Sequence, residues 1–315
     1  MVKEKCHMDN DTSFDTPILF LIFNRPETTL KVFEKIRLLR PRQLFVAADG
    51  PRSGSDSDFR NCASARLITQ HIDWQCDVKY RFLEKNYGCR RAVSGAVNWF
   101  FSQVSEGIIL EDDCFPSADF FHFCSAALKK YRNDEKIMHI NGTVHLPPEK
   151  LRYDAWFSRY ALVWGWASWA RAWQKYDPVL LNYPFDKLKE VFPESEKSSR
   201  WRELLTSVQQ NKAGFDTWDF QWSAALFANN DLAVSPKCNL IQNIGIGTGT
   251  HEIADCLQFA LPEKSVFEPE NINLPQPGLP DKKADDFIFD TVYRKSPLSK
   301  RVAAKFKKFF WQGAL

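Results

Sequence analysis

A chain of 315 residues, 44% apolar and 26% charged, holds enough hydrophobic material for one large core or two smaller ones. Its net charge of +3 is too small to imply nucleic-acid binding, and no apolar run approaches the ~20 residues of a membrane span. Eight scattered cysteines show no CxxC pair and no metal-ligand spacing, and no signal peptide opens the chain, so they are expected to be reduced thiols of a cytoplasmic protein.

The first half alternates two patterns. Residues 17–23 (PILFLIF) form a buried strand, followed by Asn24, Arg25 and an amphipathic helix over 28–39. Residues 44–49 (LFVAAD) give a second strand closed by Gly50 and Pro51, and a helix covers 59–71. A third strand over 78–82 precedes a helix over 90–102, a fourth strand over 107–110 precedes a helix over 118–131, and 137–140 is a fifth strand. Such alternation argues for βαβ units and a mostly parallel sheet.

The fourth strand ends in three acids, Glu111, Asp112 and Asp113. Adjacent carboxylates repel one another, so a cation is expected at the mouth of this strand. In an open α/β sheet that mouth is where ligands bind. Hard oxygen donors suit Mn²⁺ or Mg²⁺, which bridges one or two carboxylates to substrate phosphates. An acidic loop capping the next helix is the plainer reading. Asn24, Arg25 and Asp49 also follow strand ends, which favours a nucleotide site. There is no GxGxxG after the first strand and no GxxxxGK[ST], so phosphates would be neutralised by metal and basic side chains, with Arg25, Arg90 and Arg91 the candidates. Arg90 and Arg91 equally suit a helix surface.

The second half is rich in Trp. Trp166, Trp169 and Trp173 follow helical spacing and are expected to be helix core; Gly165, before them, would permit close substrate approach. In 215–222 (FDTWDFQW), Asp216 is placed as an N-cap and Asp219 as its capping-box acid. Asp219, flanked by Trp218 and Trp222, also suits a general base whose pKa is raised by aromatic neighbours. Residues 239–251 (NLIQNIGIGTGTH) describe a glycine-rich loop ending in His251, which either closes over a diphosphate, completes a metal shell or simply ends the loop.

Together these segments resemble the GT-A class of nucleotide-sugar glycosyltransferases, bacterial family-2-like enzymes and the N-acetylglucosaminyltransferase I type. IILEDDCFPSADFF matches the acidic DxD-type metal motif, LIFNRPETTLKVFEKI and LFVAADGPR the two nucleotide-contacting segments, TWDFQW the catalytic-base motif and GIGTGTH the closing loop. The resemblance implies a GT-A fold: a Rossmann-like, mostly parallel sheet with helices on both faces and a C-terminal acceptor-side subdomain. It implies Arg25 and Asp49 on the nucleoside and Glu111 and Asp112 on the ribose and donor sugar; Asn24, at a strand end, and Arg90, as a basic side chain, are further candidates near the nucleotide. Asp113 would be the direct metal ligand, with His251 a candidate from its place at the loop end, and Asp219, with Asp216 as the alternative, would be the base. The implied activity is metal-dependent, inverting transfer from a nucleoside diphosphate sugar, UDP-N-acetylglucosamine being the first donor to try. The acceptor would be a glycan or lipid-linked molecule of surface polysaccharide synthesis. A sugar nucleotidyltransferase and a non-catalytic carbohydrate-binding protein are the rivals.

The expected organisation is a flexible N-terminus over 1–15, a nucleotide-sugar-binding half over 16–145, an acceptor-binding and catalytic half over 146–265, and an extended connector over 266–295. Over 296–315, Leu298, Val302, Phe306, Phe309 and Phe310 share one helical face opposite Lys300, Arg301, Lys305, Lys307 and Lys308. That is the pattern of a helix lying on an anionic membrane surface, here the inner face.

Overall fold

The computed structural model describes residues 14–145, 153–245, 260–269 and 271–295. The chain runs β1 (Ile18–Ile22), α1 (Pro26–Leu39), β2 (Gln43–Ala48), α2 (Asp56–Ile68), β3 (Asp77–Phe82), α3 (Cys89–Phe101), β4 (Glu106–Glu111), β5 (Cys114–Pro116), α4 (Ala118–Tyr131) and β6 (Ile137–Asn141). It continues through β7 (Ala155–Ser158), β8 (Trp166–Trp169), α5 (Ala170–Trp173), α6 (Lys187–Val191), α7 (Ser195–Gln209), α8 (Asp219–Asn229), β9 (Leu232–Pro236), β10 (Ile241–Asn243) and α9 (Lys282–Ile288), which ends in a π-helical turn over Phe289–Tyr293.

Eight strands form one sheet in the order β3-β2-β1-β4-β8-β6-β9-β7. The first four are mutually parallel; β8 runs antiparallel to both its neighbours, and β7 closes the far edge antiparallel to β9. This is the expected α/β class, with helices on both faces. Alternation within the strands sorts the core into two layers. Ile18, Phe20, Ile108 and Leu110 face the layer of α1 and α4, whereas Leu19, Leu21 and Ile109 face the layer of α3 and α8.

Three expectations are corrected. Trp166 and Trp169 do not share a helix: both lie in β8, where a three-residue offset sends them to opposite layers, Trp166 beside Trp222 and Trp169 with the α4 side. Residues 266–295 are no loose connector. Phe267, Leu274, Ile288 and Phe289 are buried, Asp285 accepts from Ser158 Oγ at 2.6 Å, and Tyr293 stacks on Tyr160. Phe14, assigned to a flexible N-terminus, bridges Pro41. The segment 296–315 and His251 lie outside the described residues. Among the described residues no helix is long and apolar enough to cross a membrane.

Candidate active site

Strand parity explains how the acids are distributed. Glu111 continues the facing of Ile109, toward α3 and α8, while Asp112 turns to the opposite side. Asp112 is buried, and its Oδ2 accepts from Phe23 N at 3.0 Å just beyond β1. The Arg25 guanidinium bridges two of the acids, Nη2 to Asp112 at 2.6 Å and Nη1 to Asp113 at 2.7 Å. Burial raises the Asp112 carboxyl to about 6 against the pull of Arg25. Burial also raises Glu111, with Asp113, Asp112 and Asp219 adding repulsion and Arg25 opposing it. One guanidinium thus faces three carboxylates.

A two-stranded ribbon lies over this cluster. β10 pairs antiparallel with β5, and Ile244 N donates to Asp113 O at 2.8 Å. A Cβ on Gly245 would come within 2.7 Å of both Arg25 Nη1 and Asp113 Oδ2, so only glycine lets the backbone pass so close. Gly165, expected to admit substrate, instead packs against protein: a Cβ there would strike Ile241 Cδ1 at 2.5 Å.

The other strand-end residues brace the loops beside the acids. Asn24 Nδ2 donates to Asp58 Oδ1 at 2.7 Å, and Arg52 holds the same carboxylate from its backbone N and side chain. These bonds, Arg52 first, hold Asp58 well below the usual carboxylate range. Asp49 accepts from the backbone N of Gly50, Tyr87 and Gly88 and from Asn86 Nδ2, so it folds the 86–88 turn that leads into α3. Burial pushes its carboxyl up in spite of those bonds.

Asp216 does not cap its own helix. It reaches 127 residues back to α3, where Oδ2 accepts from Cys89 N at 3.0 Å. Arg90 N donates to Oδ1 at 3.3 Å, and the Arg90 guanidinium clasps Asn211 Oδ1 and Phe215 O of the same loop. A carboxylate at a helix N-terminus is satisfied by the exposed amides and the helix dipole. Asp219 begins α8 and accepts from Thr217 Oγ1.

Two residues that pattern reasoning passed over join this group. The Cys89 thiol is pushed up by the surrounding protein and by the charges of Glu111, Asp219, Asp216 and Asp49. The Tyr176 hydroxyl, whose ring stacks on Trp173 at 4.3 Å, is pushed up by burial, with Asp219 adding to the shift. The cluster therefore brings Arg25, Glu111, Asp112 and Asp113 together, sets Asp219 within electrostatic range, and links Asp49, Asp216 and Arg90 to it through the start of α3. A lone cysteine opening a helix carries no sequence signal of its own.

Among the described residues no three His, Cys, Asp or Glu side chains converge as a ready-made metal cage. The donor set nonetheless fits a hard divalent ion that shares its shell with phosphate oxygens: the acids are oxygen donors, one guanidinium leaves them undercompensated, and Mg²⁺-type sites use one or two carboxylates plus substrate.

No protein-family model matches the chain, and no curated protein matches it. Among solved structures it is similar to HddC from Yersinia pseudotuberculosis, with a TM-score of 0.28 and 10% identity over 41% of this chain. That alignment spans 58% of HddC, so less than two thirds of its length is covered. An apo UDP-glucose pyrophosphorylase aligns with a TM-score of 0.36 and 8% identity over 73% of this chain and 93% of that one. Mouse xyloside xylosyltransferase 1 aligns with a TM-score of 0.35 and 10% identity over 69% and 82%. Likeness at these scores carries no weight for activity.

Proposed function

We propose that the chain is a metal-dependent, inverting glycosyltransferase. It would take a sugar from a nucleoside diphosphate sugar, a UDP-sugar such as UDP-N-acetylglucosamine first, and pass it to a glycan or lipid-linked acceptor in surface polysaccharide synthesis. The observation that carries this reading is the undercompensated acid cluster at the carboxyl end of a central strand, held by the single guanidinium of Arg25.

Departure of a nucleoside diphosphate makes leaving-group charge the main barrier. Mn²⁺ or Mg²⁺ held by Asp113, with His251 as a second candidate ligand, supplies Lewis-acid stabilisation of that charge when bound. Glu111 accepts hydrogen bonds from ribose and sugar hydroxyls, Asp112, buried on Phe23 N and Arg25, positions that guanidinium, and Arg25 meets the diphosphate. Asn24, Asp49 and Arg90 hold the loops on which the nucleotide rests. Asp219 takes the proton of the attacking hydroxyl from the face opposite the leaving group; a positioned carboxylate contributes roughly 10²–10⁴-fold. Asp216, committed to the α3 amides, is the weaker choice for that proton. The proposed location is the cytoplasm, peripheral at the membrane through 296–315.

Mn²⁺-dependent hydrolysis of a panel of nucleotide sugars tests the reading and names the donor. Asp113→Ala is expected to abolish turnover while the protein stays folded. Absence of turnover with every nucleotide sugar, or full turnover in the variant, would overturn it. A nucleotidyltransferase would instead join sugar phosphate to nucleoside triphosphate, and a binding protein would do neither.

A further inference from the structure

Asp216 also lines a cavity of about 530 Å³ formed by residues at the start of α3 and the end of α7. That is within the size range of small-molecule sites. Its wall alternates chemistry in a way that suits a sugar. Tyr87 is 53% exposed and Val179 is 55% exposed, giving an aromatic face and an aliphatic floor. Asn211 Oδ1 accepts from Arg90, which leaves its amide N–H groups to donate, and Gln209 Nε2 donates to Leu180 O, which leaves Oε1 to accept.

The two arginines of the wall are not equivalent. Arg90 is consumed by Asn211, Phe215 O and Asp216. Arg91 lines the same cavity and makes no ion pair or hydrogen bond through its side chain among the described residues. An uncommitted guanidinium beside an exposed aromatic ring and two amides recognises a hydroxyl-rich ring bearing a planar or tetrahedral anion, which it binds with paired N–H groups.

We infer that this cavity is the acceptor subsite and that it takes an anionic saccharide, one carrying a uronate carboxylate or a phosphate. The word acceptor rests on the transferase reading; the anionic selectivity does not. Asp216 links the two regions: its carboxylate accepts from the first amides of α3 and it also lines the cavity.

The test is calorimetric titration of the full chain with three probes: digalacturonate, glucose 6-phosphate and neutral maltose. One or both anions are expected to bind about tenfold more tightly than maltose, the value of one charge-assisted hydrogen-bonded pair. Arg91→Gln should remove that preference and Tyr87→Ala should weaken all binding. Equal binding of the three, binding of none, or an unchanged preference in Arg91→Gln overturns the inference. UDP with Mn²⁺ is titrated into the same samples. Its failure to bind would sink the transferase reading while leaving the saccharide result to stand alone.

Discussion

Replacing Arg25 with Met keeps most of the aliphatic stem and removes only the charge that Asp112 and Asp113 share. Breaking a buried ion pair from one side costs about 3–5 kcal/mol. Arg25 is 26% exposed and Asp113 13%, so the lower end, about 3 kcal/mol, is expected at neutral pH. For a chain of this size that corresponds to roughly 4–5 °C in melting temperature. The sign of its pH dependence follows from the acids. Folding raises both Asp112, to about 6, and Glu111. A carboxyl raised on folding contributes stability fully below its unfolded value near 4 and loses it as pH rises through the folded value. Without Arg25 both groups move higher still. The deficit of Arg25→Met should therefore be small at pH 4.5, full at pH 8, and partly recovered at pH 8 by Mn²⁺. Urea denaturation at the two pH values, with and without the metal, measures it. An equal deficit at both would refute the claim that Arg25 acts by compensating these carboxylates.

Gly245→Ala places a methyl against Arg25 Nη1 and Asp113, and UDP affinity with Mn²⁺ is expected to drop at least tenfold; unchanged affinity in calorimetry would mean the ribbon is not part of the site. Asp219→Asn should lower turnover by about 10²–10⁴-fold with donor affinity intact, so a variant that mainly melts earlier would make Asp219 structural. His139 is buried between Trp222 Nε1, which donates to Nδ1 at 2.9 Å, and Leu162 O, and burial lowers its pKa to about 3. The folded state refuses a proton that the unfolded chain accepts near 6.5, so stability is full above that value and falls on acidification. About 2 kcal/mol should be lost between pH 7 and 5 through this group. His139→Phe should flatten that slope in denaturant midpoints, and an unaltered slope would assign it to other groups.

The first half of the chain was legible because each strand and helix there is long enough to show its period, and β4 announces its own end with three acids. The aromatic segment was not. A four-residue strand running straight into a four-residue helix leaves Trp166, Trp169 and Trp173 at intervals of 3 and 4, which mimic one helix. Asp216 was assigned to the nearest helix start because sequence shows neighbours only; its partners lie at Cys89 and Arg90. The 266–295 segment misled through its Pro and acidic content. Its buried apolar residues hold it down, and one of its acids, Asp285, is consumed by Ser158 and the Arg159 amide. The acids of the site were visible, but the guanidinium seated between two of them required coordinates.

The manner in which β7 is finished has a consequence for biosynthesis. Its outer rim would offer open hydrogen-bonding groups to any passing strand. Phe157 O is instead taken by Asp281 N, Ser158 by Asp285, and Asp154 N by Asn273 O. At the opposite margin, β3 relies on its own charges, Asp77, Lys79 and Arg81. While the chain is still leaving the ribosome, nearly the whole sheet can assemble with one margin unguarded until residues 273–285 emerge. Nascent chains stalled before that point should be the ones that seek chaperones.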